Sequence, residues 1–464
     1  MQEQLDILTR AIYEWLPENR PVVQAPTAAE LETMLDLTLA QDGAGRGSLE
    51  AALQAYLHFN PDVAQADFFK LLYSGRNKYA LLGDWITSLS NATMHTYQVG
   101  PVATLMELEL IRQWNALVGF GDEGEGVMVA GGSQANLIGM MLARHHAYPD
   151  YKTKGAQGKT LVAYVSDQAH YSGQKAANVL GIGTDNLIAV ATDDAGRMRP
   201  DALAEEIEKS KAQGHTPFFI GLTAGTTVTG AFDPVAACSE IAKAHDIWLH
   251  IDGAWGGPIL FSGQHCHLLA NSHLADSFAW DAHKLMNVPI TAAVILVKQP
   301  GALKACCSGG GGDYLFHADE NADYNLGERS IQCGRRADAL KVWLSWKAAG
   351  NKGFEEKIDY LQSMKAACVA QIEERASLEM LAPAGYLNVL FRYKPDHIND
   401  EQALRQLNID ICKTMMRSGG PYVDYAQYKG RTGIRLILAN DEVDSDHLQR
   451  LLDKVQRLGM ELEG

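Results

Sequence analysis

Ile247-Trp248-Leu249-His250-Ile251-Asp252-Gly253-Ala254-Trp255 and, further on, Ser277-Phe278-Ala279-Trp280-Asp281-Ala282-His283-Lys284 decide the fold. Each begins as a short apolar run and ends on charged and small residues. The same punctuation recurs on either side, so strands are expected at Thr160–Val165, Asn186–Ala191, Phe218–Leu222, Ile247–Ile251, Ser277–Trp280 and Ala292–Val297. Asp201–Ala212 and Pro234–His245 carry helical spacing between them. Apolar strands alternating with helices predict βαβ units and an α/β fold: a mostly parallel central sheet with helices on both faces. Ligands in such sheets sit beyond the carboxyl ends of the strands, which puts Asp252 and Lys284 on the binding rim.

Outward from this centre the pattern changes. Residues 1–95 read as a helical segment (Leu31-Leu35-Leu39, Leu53-Tyr56-Leu57) with no evident core of its own. Residues 96–349 form the large domain. Within it, the stretch 300–330 is poor in regular pattern and holds four consecutive glycines, Gly309–Gly312, whose backbone freedom predicts a mobile loop. Residues 350–464 alternate helices with strands at Leu387–Tyr393 and Gly433–Leu438, which predicts a smaller C-terminal α+β domain.

The chain has 464 residues, 47% hydrophobic and 21% charged, an ordinary globular composition. A formal net charge of -16 argues against a partner tracked by its phosphates, so no nucleic acid is expected. No apolar run is long enough for a membrane span and the N-terminus lacks a signal-peptide core, so a cytoplasmic protein is expected. Seven scattered cysteines fit reduced thiols better than a disulfide framework. His265-Cys266-His267 lacks a second ligand cluster, so no metal is expected there.

The chemistry starts from Lys284 and Asp252. A lysine beside a histidine, with a carboxylate ending another strand, is what a pyridoxal phosphate site needs: an amine to condense with the aldehyde, and an acid to keep the pyridine nitrogen protonated. Gly131-Gly132-Ser133-Gln134-Ala135-Asn136 precedes the apolar helix Leu137–Ala143, and a glycine turn at a helix N-terminus can cradle a phosphate, although such turns are also common without a ligand. Ser133 does not sit in a Gly-x-Ser-x-Gly elbow, which argues against a hydrolase nucleophile. His170, in Asp167-Gln168-Ala169-His170-Tyr171-Ser172, follows an expected strand and could stack on a cofactor ring or be a plain loop histidine. Thr223-Ala224-Gly225-Thr226-Thr227 follows another.

Taken in order, these pieces resemble the group II pyridoxal-phosphate-dependent amino acid decarboxylases. The likeness is strongest to the glutamate and cysteine sulfinate branch, through Gly83-Asp84-Trp85-Ile86-Thr87-Ser88, Thr96-Tyr97-Gln98-Val99-Gly100-Pro101, Tyr314-Leu315-Phe316 and Gln332-Cys333-Gly334-Arg335. The resemblance implies fold type I, aspartate aminotransferase-like, and a homodimer with shared sites. It implies that Lys284 binds the cofactor covalently and that His283, Ser133 and Gln134 hold its phosphate. Asp252 would pair with the pyridine nitrogen. Ala254 and His170 would flank the ring, and Thr227 would lie near its oxygen. Tyr314 would be the catalytic loop tyrosine, acting from the neighbouring subunit to protonate Cα. Arg435, in Gly433-Ile434-Arg435-Leu436, would grip the substrate carboxylate. Tyr73 and His95 would line the substrate side.

Departures from the family pattern bear on substrate. His95 stands where the glutamate and cysteine sulfinate enzymes carry an aromatic residue, and Leu72-Tyr73-Ser74-Gly75 lacks the glutamine that the glutamate enzymes place nearby. The expected reaction is α-decarboxylation of an acidic L-amino acid (cysteine sulfinate, aspartate or glutamate). Decarboxylation of 2,4-diaminobutyrate or an aromatic amino acid, transamination on the same fold, and a nonenzymatic fold relative are the alternatives.

Overall fold

The computed structural model describes residues 2–15, 20–310, 312, 314–317 and 319–463. The chain divides into two compact units: 76–366 with 382–389, and 1–75 with 367–381 and 390–464.

The larger unit is built on a seven-stranded sheet. Its strands are β1 (Glu125–Val129), β2 (Leu161–Ser166), β3 (Leu187–Val190), β4 (Thr216–Thr223), β5 (Trp248–Asp252), β6 (Ser277–Asp281) and β7 (Ala293–Val297), in the order β1-β7-β6-β5-β4-β2-β3. From β3 to β6 every pairing is parallel, whereas β7 runs antiparallel to both β6 and β1. The six strands expected from the sequence are all present. The added one, β1, escapes a pattern search because its five residues begin with an acid and a glycine. That glycine is needed: a Cβ on Gly126 would fall 2.8 Å from the Ile295 carbonyl oxygen across the pairing.

Every residue of β1, β2, β6 and β7 is buried, as expected for a sheet covered on both faces. Helix Gly132–Ala147 covers one face through Ala135, Ile138, Met140, Leu142 and Ala143. Burying side chains of this size stabilises by roughly 1.5–3 kcal/mol each for the larger ones, before the entropy of ordering is subtracted. A buried ion pair between Arg335 and Glu107 adds specificity: Glu107 also accepts from Met128 N–H (2.8 Å) and Arg335 donates to the Met94 carbonyl (2.9 Å), so the segment around His95 is fastened to β1. Helix Lys78–Ser90 belongs to this unit, where Asn77 donates to Ser345 Oγ (2.7 Å) and Lys341, fully buried, meets Asp84 (3.2 Å).

The smaller unit carries most of a four-stranded sheet, β8 (Leu378–Met380), β9 (Asn388–Tyr393, whose first two residues count with the larger unit), β10 (Asp424–Tyr428) and β11 (Arg431–Ile437), in the order β10-β11-β9-β8. Helices Glu401–Arg417 and Ser445–Glu463 place Leu404, Ile411 and Met415, and Leu448, Leu451 and Val455, at helical spacing in its core. The first 75 residues cluster with this unit: Phe69 N–H donates to the Tyr422 carbonyl and Phe69 O accepts from Ile437 N–H. Helices Gln2–Trp15 and Arg46–Phe59 bury no residue in this chain and leave Leu5, Leu8, Tyr13, Leu53 and Tyr56 exposed. The compact units change at residue 75 and near 366. Among the described residues no helix is long and apolar enough to cross a membrane.

Candidate active site

β5 ends on Asp252 and β6 on Asp281, and the two strands are parallel neighbours, with Asp252 opposite Ala279. Parallel neighbours finish at one rim, so charges placed at their carboxyl ends converge. Lys284 lies one turn beyond β6. Its N–H donates to the Asp281 carbonyl (3.2 Å) and its ammonium stands 3.2 Å from Asp281 Oδ2. His283 Nε2 is 3.5 Å from the same oxygen. Burial holds the His283 pKa down, against the upward pull of Asp281, so the ring is mainly neutral near pH 7. Asp281 is itself buried, and its Oδ1 has no hydrogen-bond partner among the described residues.

The turn entering helix 132–147 closes on the same group. Gly131 has φ +143°, a conformation side-chain-bearing residues rarely adopt. A Cβ on Gly132 would fall 2.8 Å from Asp281 Oδ2 and 3.1 Å from the Ala254 Cβ, so only glycine lets the helix N-terminus come this near. The first-turn N–H groups of a helix have no partner within it and carry partial positive charge. Gln134 Oε1 accepts from Ala130 N–H (2.8 Å) and its own N–H donates to the Gly131 carbonyl (2.9 Å), bracing the turn, while Ser133 is exposed.

Asp252 Oδ1 accepts from Ala254 N–H (3.1 Å) and Oδ2 from Asn136 Nδ2 (2.6 Å). His170 follows β2, and its Nδ1 accepts from Ser172 N–H (3.2 Å). Desolvation lowers its pKa; Asp252 and Asp281 pull it up and Lys284 pushes it down, so all three charges act on this ring. Ala254 is buried. Thr227 is half-buried, and its carbonyl accepts from Asn388 Nδ2 (3.0 Å), whose Oδ1 accepts from Trp255 Nε1 (2.8 Å); the loop after β4 is thereby tied to the segment after β5.

The remaining residues singled out from the sequence sit on other segments of the chain. His95 Nδ1 is 3.1 Å from Thr93 Oγ1, and its carbonyl accepts from Gly327 N–H. Tyr314 is 76% exposed. Arg435 and Tyr73 belong to the smaller unit. There Arg435 donates to the Lys70 carbonyl (2.8 Å) and lies 3.8 Å from Asp424, with burial pulling its pKa down. Tyr73 packs against Phe68, and desolvation raises its pKa. Among the described residues no group of three or more His, Cys, Asp or Glu gathers as a metal site.

Sequence reasoning passed over Asp281, Asn136, His250 and Ser277 as site residues. The signal for His250 was present: it sits two residues before Asp252 on one strand, hence on the same face. Its partners were not legible, because they come from other elements.

A strand-end amine beside a buried acid, a carboxylate with an unshared lone pair, a neutral imidazole within reach of both charges, and a glycine turn opening a helix fit the aldehyde, pyridine nitrogen, ring face and phosphate of pyridoxal phosphate. The sheet order and this rim define a pyridoxal-phosphate enzyme of fold type I. Residues 55–394 match the pyridoxal-dependent decarboxylase conserved domain. The chain belongs to that family, uses pyridoxal phosphate, and is a carboxy-lyase. It is 34% identical over 98% of its length to cysteine sulfinic acid decarboxylase of Rattus norvegicus, covering 94% of that protein. It is likewise 34% identical over 98% of its length to acidic amino acid decarboxylase GADL1 of Mus musculus, covering 85% of it. A crystal structure of mouse CSAD in apo form superposes with a TM-score of 0.94 at 34% identity, over 99% of this chain and 98% of that one.

Proposed function

We propose that this carboxy-lyase acts on an acidic L-amino acid (cysteine sulfinate, aspartate or glutamate), releasing carbon dioxide and giving hypotaurine, β-alanine or γ-aminobutyrate. The observation that carries the acidic-substrate reading is the end-to-end likeness to enzymes named for acidic substrates, 34% identical over 98% of the chain.

The roles proposed for the residues are those that the family resemblance implies for these positions. Lys284 supplies the amine that holds the cofactor, and Asp281, 3.2 Å from it, fixes that amine at the rim. Asp252 would accept the pyridinium N–H and stabilise the positive charge there. Ser133, Gln134 and His283 take the phosphate, aided by the helix N-terminus. His170 and Ala254 would flank the ring, and Thr227 would lie by its oxygen. When bound, pyridoxal phosphate supplies the electron sink for the bond that breaks at the substrate Cα. Arg435 binds the substrate carboxylate, a role suited to a guanidinium that is already largely desolvated. His95 and Tyr73 line the side chain of the substrate. Tyr314, contributed by a second copy of the chain, excludes water and delivers a proton to Cα after carbon dioxide leaves. The exposed apolar faces of helices 2–15 and 46–59 support a homodimer. Seven free thiols support a reducing, cytoplasmic setting.

The test is a carbon dioxide release screen over cysteine sulfinate, aspartate, glutamate, cysteate, 2,4-diaminobutyrate and the aromatic amino acids, with keto-acid formation followed in parallel. Preference for an acidic substrate is the expected result. Preference for 2,4-diaminobutyrate or an aromatic overturns the substrate reading, and keto acid as the main product points to transamination.

A further inference from the structure

Behind Asp252 lies a line of buried polar side chains with one consistent direction. Trp248 Nε1 can only donate, and it lies 2.8 Å from Ser277 Oγ. Ser277 Oγ is also 2.8 Å from His250 Nδ1. His250 Nε2 is 3.0 Å from Asn136 Oδ1, and Asn136 Nδ2 is 2.6 Å from Asp252 Oδ2 and 2.9 Å from Ser172 Oγ. An ionised carboxylate only accepts, so the Asn136 amide nitrogen must face Asp252. Its oxygen must then receive a proton donor, which assigns N–H to His250 Nε2. His250 Nδ1 is left as an acceptor and takes the Ser277 hydroxyl proton, and Ser277 in turn accepts from Trp248. Each donor is used in one sense, and the line ends on Asp252.

The members are sequestered: Trp248 is 5% exposed, His250 1%, Ser277 0% and Asn136 8%. The imidazole lies against Phe219 (ring centroids 5.7 Å apart), and the helix meets it at Gly139, the residue one turn beyond Asn136. Burial lowers the His250 pKa to about 4, so it is the neutral form, with a single N–H, that is present near pH 7.

We propose that Asn136 and His250 are positioning residues for cofactor binding: the Trp248–Ser277–His250–Asn136 line fixes the orientation of the Asp252 carboxylate by capping Oδ2, and would leave a lone pair free for the pyridinium N–H. This rests on the reading of Asp252 given above. An unsupported carboxylate could rotate between its oxygens, and that change would cost it the charge-assisted bond.

The test uses full-length protein stripped of cofactor and titrated with pyridoxal phosphate, with intrinsic fluorescence for Kd, visible circular dichroism for the setting of the bound ring, and a melt of the stripped protein for stability. Losing the donor to the charged acceptor, directly in Asn136→Ala and through loss of the N–H that orients the Asn136 amide in His250→Phe, should weaken cofactor binding by about 10- to 100-fold and change the dichroic band. His250→Gln keeps a donor where Nε2 stood, and should restore Kd to within about threefold of wild type. Asp252→Asn serves as the reference. If it binds and reads like wild type, the assignment of Asp252 fails. If it is impaired while folded Asn136→Ala keeps the wild-type Kd and dichroism, only the positioning role is overturned, even where the melt shifts. Should either deletion not fold, Ser277→Ala, which removes only the hydroxyl that sets the imidazole tautomer, carries the test: an altered dichroic band supports the line and an unchanged one overturns it.

Discussion

The ammonium of Lys284 stands 3.2 Å from Asp281 Oδ2, and Asp281 is the last residue of the strand that Lys284 follows. The carboxylate is buried while the lysine side chain keeps 22% of its surface open, so the acid fixes the amine from below and leaves it reachable from the rim. Replacing the lysine removes the amine and strands the acid. Lys284→Ala should abolish carbon dioxide release, by at least about 10³-fold, since both covalent attachment and its orientation are lost. Steady-state assay with saturating cofactor checks this, and retained activity would end the proposed mechanism.

Tyr314 is exposed in the single chain. A residue that acts only on a closed site should leave cofactor binding alone. Tyr314→Phe is expected to bind pyridoxal phosphate as wild type does and to slow turnover by about 10²- to 10⁴-fold, the usual worth of a positioned proton donor. Part of the flux should divert to carbonyl side products. Product analysis by mass spectrometry checks this; wild-type rate and products would exclude the tyrosine as the acid.

His95 is held through its backbone by Gly327 and through its ring by Thr93. Exchange for an aromatic ring removes the polar handle and keeps the bulk. His95→Phe should change the ratio of kcat/KM between cysteine sulfinate, aspartate and glutamate by about tenfold, the worth of one hydrogen bond to a charged group. An unchanged profile across the three would count against His95 lining the pocket.

Gly139 is a helix-interior glycine, where alanine ordinarily stabilises by about 1 kcal/mol. Here the new Cβ would fall 2.7 Å from His250 Nδ1, and a fully buried ring has nowhere to retreat. Overpacking of this kind costs typically about 1–3 kcal/mol. The clash should win, so Gly139→Ala should lower Tm in a thermal melt. A raised Tm would show that the His250 ring yields freely.

His250 also sets a pH dependence. Its folded pKa, about 4, lies below the ordinary histidine value of 6.5. Between those values the unfolded chain binds the extra proton, so stability rises with pH and is lost as pH falls from 6.5 toward 4. By pH 5 the loss from this residue should reach about 2 kcal/mol. Urea midpoints at pH 7 and pH 5 check it: the wild type should drop further than His250→Gln, and equal drops would exclude His250 as the source.

The six expected strands, the parallel order of the sheet and the rim position of Asp252 and Lys284 were legible because burial on both faces leaves an unbroken apolar signature, and strand ends in such sheets face one edge. β1 was not, since five residues opening Glu125-Gly126 carry too little periodicity. Nor was the association of the first 75 residues with the C-terminal ones, which depends on backbone pairing of Phe69 with Tyr422 and Ile437 far along the chain.

Sequence alone determined the chemistry on offer: an amine, an acid, an imidazole and a glycine turn, each at the end of a recognisable element. Only the tertiary structure decided which groups support them. Asp281 under Lys284, and Asn136 and His250 behind Asp252, are brought into contact by a helix crossing the sheet and by strands lying side by side. Hydrogen bonds act over about 3 Å, a distance that position along a chain does not specify.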